Sequence, residues 1–410
     1  MGDRIYMRVI IVGNNVAGIT TAKTIRELRQ DVDILVFAEE KYHYYPRPAL
    51  IEFIANKAEE RSLLFYPEDW YPKNRIKVNL GTMVEKIDPK EKRVLVNGLW
   101  VDYDALVLAT GAKAFVPPIK GLPKRNVFTL RTIDDAKAIK ELIPKVQSAV
   151  VIGGGVLGLE AAKAMKQARP ALSIKILEKT ESLLSRQLDV EGGSILRALI
   201  EEMGMDIHTG VEVEEIKGAT QVEKVKLKDG TEFDAQLVVI SAGVRPNLDL
   251  AKESGLKVGR GLVVDANLCC NEQTMIFAAG DVVEFEGTTW GIIPAALDHA
   301  RIVARMILGK DTTEYKGTLI SNTLKVMGID LTSIGLVNPP ADGGYEEIRA
   351  KSDNGRVYKK FVLKDGKMVG AIVLGSRKEI ARVSKLIKDG TSVEGLKSNM
   401  RRIDFDFSGL

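Results

Sequence analysis

The sequence predicts an α/β protein with two three-layer domains and a smaller C-terminal α+β domain, and three observations carry that expectation. One pattern occurs twice, about 140 residues apart, over Val9–Glu39 and Val150–Glu178. It is a short β-branched strand, a glycine-rich turn, an amphipathic helix and a second strand ending in an acid. Each copy leads through a meander into a buried strand that ends in small residues, ALVLATGAK in the first and AQLVVISAGVRPN in the second. From about Gly317 the pattern changes, and LKVMGIDLTSIGLVN, YKKFVLKDGKMVGAIVLG and a lysine-rich helix read as a separate α+β unit.

At 410 residues the chain exceeds one ordinary hydrophobic core. The stretch AKAFVPPIKGLPK is too rich in proline to continue a sheet and reads as a crossover between domains. The expected division is 1–113 with 241–316, then 114–240, then 317–410. A helix is expected from about Pro294 to Gly309, closed by that glycine.

The formal net charge is only +4, so no basic field points to nucleic acid, while an acidic protein partner stays open. The opening MGDRIYMRVIIVG has charges where a signal peptide needs an apolar core, and no Ser or Thr at position 6 for myristoylation. No apolar run of about 18 residues is present, so no membrane span is expected and the expected compartment is the cytoplasm. Cys269 and Cys270 are the whole thiol inventory, and His43, His208 and His299 are far apart. Without C-x-x-C or H-E-x-x-H spacing no metal site is expected, and redox chemistry has to come from an organic cofactor.

The strongest local signal is Gly153-Gly154-Gly155-Val156-Leu157-Gly158, between the strand AVVI and a helix. Gly153 permits the tight turn, Gly155 admits a pyrophosphate close to the backbone, and Gly158 lets helix and strand pack. The helix start at Val156 and Leu157 offers unpaired N–H groups and a positive dipole end. Glu178, twenty residues past Gly158, stands where a carboxylate would bind a ribose 2′-OH and repel a 2′-phosphate, which favours NADH. An exposed strand-end acid would look the same, and Lys179 and Arg186 nearby leave NADPH open.

The first copy reads Gly13-Asn14-Asn15-Val16-Ala17-Gly18, with Asn15 in place of the middle glycine. Asn tolerates positive φ, yet it sets a side chain where a pyrophosphate must approach. The acids here are Glu39 and Glu40, with Glu39 the candidate for an adenosine ribose or else a solvated surface acid. Ala279-Gly280-Asp281 follows the strand MIFA and places a carboxylate at a strand's C-terminal end, as a ligand contact or a turn cap. The two copies together read as two Rossmann-like dinucleotide-binding domains.

These motifs, with YYPRPAL, LVLATGA, TLRTIDDA, GGGVLGLE, ISAGVRPN and FAAGD in order from Val9 to about Gly309, resemble the FAD- and NAD(P)-dependent pyridine nucleotide–disulfide oxidoreductase superfamily. Tyr45-Pro46-Arg47-Pro48 and LKVMGIDLTSIG look most like the NADH:rubredoxin reductases, ferredoxin reductases and the flavin part of NAD(P)H nitrite reductases. The resemblance implies FAD and a nicotinamide dinucleotide as cofactors, and Glu178 makes NADH the expected one, with NADPH less favoured. It implies cofactor contacts at Gly13, Asn15, Ala17, Gly18, Glu39, Glu40, Arg47, Pro48, Val84, Ala109, Thr110, Gly111 and Arg131. Further implied contacts are Gly153, Gly155, Val156, Leu157, Gly158, Glu178, Gly243, Gly280, Asp281, Pro294, Ala295 and Lys325. Glu160 is implied beside the nicotinamide near the flavin, although an acid in the first turn of a helix also complements its dipole.

Two departures narrow the resemblance. Residues 40–60 hold no cysteine, which disfavours disulfide-reductase and cysteine-dependent oxidase chemistry. Glu52 stands where ferredoxin reductases with a longer motif carry lysine. A vicinal Cys269–Cys270 bridge would be strained, because adjacent Cα atoms lie about 3.8 Å apart, and both read as small buried hydrophobes.

The expected activity is hydride transfer from NADH to FAD, then electron delivery to a small rubredoxin-like protein or another redox acceptor. Lysines including Lys359, Lys360 and those from Lys385 to Lys397 are candidates to steer an acidic partner. The alternatives are an oxidase or diaphorase, the flavin subunit of a larger reductase, and a dinucleotide sensor without turnover. The chain is expected as a monomer or homodimer.

Overall fold

The computed structural model describes residues 6–310, 314–318 and 321–407, with the side chains of 321–325 outside the description. Among the described residues no helix is long and apolar enough to cross a membrane. Nor does any cluster of three His, Cys, Asp or Glu side chains there suit a metal ion.

The described residues form two compact units. The first gathers those of Met1–Phe53, Ala58–Lys113 and Val244–Thr318. Its centre is the strand Arg8–Val12, paired in parallel with Asp33–Phe37 on one side and Ala105–Leu108 on the other. Ile76–Asn79 and Ile276–Ala278 extend the sheet outward, and Cys269–Asn271 closes one edge antiparallel. Val9, Ile10 and Ile11 are fully buried, as a strand covered on both faces requires. The helices Val16–Leu28 and Ile293–Ile307 pack together. They share one core with the sheet and with Val84, Val94 and Val96 of a three-stranded meander. Cys269 and Cys270 are free thiols, and burial pushes the Cys269 thiol up to about 11.

The second unit holds 54–57, Ala114–Gly243 and Leu319–Leu410 among the described residues. Its parallel sheet runs Asp206–His208, Ser173–Leu177, Ser148–Ile152, Leu237–Ile240, Val127–Thr129. The C-terminal part is a five-stranded antiparallel sheet ordered Ser321–Val326, Ile329–Gly335, Lys367–Leu374, Tyr358–Lys364, Glu346–Lys351. The helix Ile380–Asp389 covers it, burying Val383 and Leu386 against Phe361, Met368 and Phe407.

One expectation is corrected in this sheet. Lys359 and Lys360 are not surface lysines but are 4% and 2% exposed. They sit in a strand buried on both faces, and the strand period sends them to opposite sides. Lys359 pairs with buried Glu379 at 2.7 Å and donates to the Ile403 and Phe405 carbonyls. Lys360 pairs with Glu347 at 2.8 Å and Asp189 at 3.4 Å. Asp189 also accepts from the Gly192 N–H and the Tyr358 hydroxyl. Burial raises the Asp189 pKa, but these donors and Lys360 outweigh it and hold the carboxyl below its ordinary value. Lys397 is paired too, with Glu346 and Glu394, whereas Lys385 and Lys388 are exposed.

Candidate functional site

In the second unit the turn after Ser148–Ile152 is glycine for steric reasons that differ at each position. Gly153 has φ +116°, and a Cβ there would collide with the Ser241 carbonyl. A Cβ on Gly158 would strike the Gly153 carbonyl, so that glycine is what lets helix Val156–Ala168 start against the strand. Gly155 is neither left-handed nor crowded. It is the helix N-cap at φ −75°, no side chain caps the helix, and a Cβ would meet nothing within 4 Å. The helix start at Val156 and Leu157 thus has no side-chain cap and open space beside Gly155, a cradle that a pyrophosphate would fill.

Glu178 follows the strand Ser173–Leu177 and is fixed against that turn. Its carboxylate accepts the Gly154 N–H at 2.6 Å and the Thr180 N–H and hydroxyl at 2.8 Å each. Lys179 is drawn to Glu212 at 3.3 Å, and Arg186 is exposed. Gly243, at φ +97°, lies just past the strand Leu237–Ile240 with open space around it.

Glu160 has a partner that no sequence pattern announces. One carboxylate oxygen accepts the Met327 N–H, from the tight turn between Ser321–Val326 and Ile329–Gly335. That turn uses positive φ at both Met327 and Gly328. The Lys325 side chain lies outside the described residues. Arg131 belongs to this unit also, where its N–H is bound by Asp135 just before the helix Ile133–Leu142.

The corresponding turn of the first unit is built differently. Gly13 (φ +115°) and Gly18 repeat the tight fit: a Cβ on the first would meet the Ala109 carbonyl, and on the second the Gly13 carbonyl. Asn15 does not use the positive φ that its residue type tolerates, being extended at φ −109°. Its side chain turns inward, accepting the Ala17 and Gly18 N–H groups and donating to the Ala109 oxygen.

Around this turn the structure collects most of the remaining candidates. Thr110 and Gly111 follow the strand Ala105–Leu108 and are pinned by Asn247 through reciprocal bonds to Thr110 and an N–H to the Gly111 carbonyl. Gly280 has φ +86°, and a Cβ would lie 2.9 Å from the Ala17 methyl, so only glycine fits. Asp281 follows in the same turn, which the Gly280 carbonyl closes by accepting the Val283 N–H. Gly280 also donates to His299 Nδ1 at 3.3 Å. Pro294 and buried Ala295 open the helix Ile293–Ile307.

The two acids separate. Glu40 is paired with Arg47 and accepts from the Tyr45 hydroxyl, with the Arg47 guanidinium 4.8 Å over the Tyr45 ring. Glu39 is exposed. Pro48 lies just before the short helix Ala49–Ile54, and Val84 is buried at the start of the meander. Asn247 and His299 are the residues sequence reasoning missed. The signal for Asn247 is its place in the ISAGVRPN motif, and for His299 its position in the apolar stripe Ala295, Ala296, His299, Ala300, Val303.

Comparison with known proteins agrees with this arrangement. Residues 7–300 match the family Pyridine nucleotide-disulphide oxidoreductase. Residues 321–391 match the Rubredoxin NAD+ reductase C-terminal domain. The chain is 32% identical to the NADH-rubredoxin oxidoreductase of Clostridium acetobutylicum, over 95% of this chain and 97% of that protein. It is 32% identical to a Nitrite reductase [NAD(P)H] of Bacillus subtilis, over 93% of this chain but 47% of that protein. The chain thus spans about half the length of the nitrite reductases it matches. A putidaredoxin reductase from its covalent complex with putidaredoxin shares the fold at TM-score 0.86 and 27% identity, over 96% of this chain and 95% of that one. With the family pattern running through well over half of its length, the chain belongs to the pyridine nucleotide-disulphide oxidoreductase family, whose cofactors are FAD and NADH.

Proposed function

We propose that the chain is an FAD-dependent oxidoreductase that takes hydride from NADH and passes electrons to a small electron-transfer protein of the rubredoxin kind, with no redox-active disulfide. The observation that carries this reading is the joining of two fingerprint turns to a C-terminal domain of the rubredoxin-reductase type. The lack of cysteine in residues 40–60 supports a relay without thiols.

FAD supplies the chemistry of accepting a hydride and releasing its electrons singly. The protein's own residues bind and orient. In the first unit Gly13, Ala17, Gly18 and Ala109 would line the FAD pyrophosphate, with Asn15 holding the helix start. Thr110 and Gly111, braced by Asn247, would meet the flavin side, as would Asp281, Pro294 and Ala295. Glu39, Glu40, Arg47, Pro48 and Val84 are assigned to the rest of the cofactor.

In the second unit Gly153, Gly155, Val156, Leu157 and Gly158 would cradle the NADH pyrophosphate, and Glu178 the ribose 2′-OH, with Gly243 beside them. A carboxylate already fixed by three hydrogen bonds cannot turn away from a 2′-phosphate, so NADH is favoured over NADPH. Glu160 is assigned to the nicotinamide with the oxygen that Met327 does not occupy.

For the acceptor, Arg382, Lys385 and Lys388 are exposed at three-residue spacing along the Ile380–Asp389 helix, with exposed Lys378 just before it, and Arg382 pairs with Asp406 at 3.8 Å. Such a stripe would speed the encounter with an acidic partner and lose effect at high salt. A second reading, the flavin part of a larger nitrite reductase, is favoured by the 47% coverage of the Bacillus subtilis protein. An acceptor screen decides between them. The highest kcat/KM is expected with rubredoxin, and a preference for a nitrite-reductase metal domain, or for oxygen, would replace this reading.

A further inference from the structure

His299 is a histidine in the middle of an apolar helix face. It is 1% exposed, and its ring packs edge-on against Tyr315 at 4.6 Å and Trp290 at 5.9 Å between centroids. Its Nδ1 accepts the Gly280 N–H, which requires the neutral ring with its proton on Nε2. Burial lowers its pKa to about 4, so the ring is neutral, and the acceptor available, at ordinary pH. Nε2 is buried without a hydrogen-bond partner. A leucine there would fill the space and avoid an unsatisfied donor. What the imidazole adds is the one bond to Gly280.

That bond acts on a constrained peptide. Gly280 is left-handed, is wedged against Ala17, and accepts the Val283 N–H through its carbonyl. His299 fastens the N–H side of the same residue. Asp281 is the next residue, at the C-terminal end of the Ile276–Ala278 strand, where open α/β sheets bind ligands.

We infer that His299 is a positioning residue for FAD: by holding the Gly280 N–H it sets the Gly280–Val283 turn so that Asp281 faces the cofactor. The inference rests on the reading that the first unit holds FAD. His299 itself need not touch the flavin.

The test is FAD titration of the apoprotein, followed by flavin fluorescence, for wild type, His299→Leu and His299→Gln, with a melting curve for each. His299→Leu is expected to weaken FAD binding roughly tenfold or more, because the partly buried Gly280 N–H loses its acceptor. His299→Gln, which keeps an acceptor oxygen, is expected to restore binding to within about threefold of wild type. A folded His299→Leu protein that binds FAD like wild type would overturn the assignment. So would a folded His299→Gln protein as weak as His299→Leu. Should the leucine variant not fold, amide exchange in the FAD-loaded wild type decides. A strongly protected Gly280 N–H supports the assignment, and a freely exchanging one overturns it. Wild-type apoprotein that takes up no FAD would instead remove the underlying reading, and the assignment with it.

Discussion

The Asn15 side chain donates to the Ala109 carbonyl oxygen at 2.6 Å while accepting the Ala17 N–H at 3.2 Å, so it is helix cap and strand tether at once. Gly155, at the same place in the second unit, does neither. One turn carries a side-chain cap in its own chain, and the other has none. Asn15→Ala is therefore expected to destabilise the apoprotein by about 1–2 kcal/mol, through the lost cap and the orphaned Ala109 oxygen. Urea unfolding of the apoprotein measures it, and an unchanged midpoint would mean the tether contributes nothing.

In the C-terminal sheet Lys359→Met leaves Glu379 buried without its cation, with the Ser376 hydroxyl its remaining side-chain donor. The expected loss is about 3–5 kcal/mol. Lys359→Met with Glu379→Leu should recover most of it, because the pair is then replaced by apolar volume. Denaturant unfolding of both variants checks the difference, and equal losses would show that Glu379 is not held by Lys359.

Acid should weaken the fold through His299. Burial lowers its folded pKa from the ordinary 6.5 to about 4, so between these values the unfolded chain binds a proton that the folded chain refuses. This contribution is fully present above pH 6.5 and is lost as the pH falls through about 4, on the order of 3 kcal/mol in all. His299→Gln should flatten the stability profile across that window. A variant profile as steep as wild type would assign the acid sensitivity to other groups.

For nucleotide choice, wild type is expected to show a clearly higher kcat/KM with NADH than with NADPH. Glu178→Ala should lower kcat/KM for NADH by roughly tenfold and narrow the gap, since the ribose partner and the brace on Gly154 are lost together. Equal values for the two nucleotides in wild type would remove Glu178 from this role.

The parts of the site that could be read from the sequence are those governed by steric demands of single residues. Gly13 and Gly153 are glycine because a carbonyl stands where Cβ would be, and such demands leave a spaced signature. The strand Val9–Val12 reads as apolar throughout because both its faces are covered. What escaped are relationships set by partners distant in sequence. Asn247 meets Thr110 from 137 residues away, and Met327 reaches Glu160 across 167. Lys359-Lys360 looks like a solvated charge pair until the neighbouring apolar residues of YKKFVLK are seen to be buried on both faces. At Asn15 the residue type suggests a special backbone conformation, yet the turn uses its side chain.

In the proposed function NADH reduces the flavin without help from a thiol. Anaerobic addition of NADH to the FAD-loaded protein measures it directly. The oxidised-flavin absorbance should bleach, and it should bleach equally after Cys269 and Cys270 are both replaced by serine. A flavin that keeps its colour under excess NADH, or bleaches only with the cysteines present, would contradict the account.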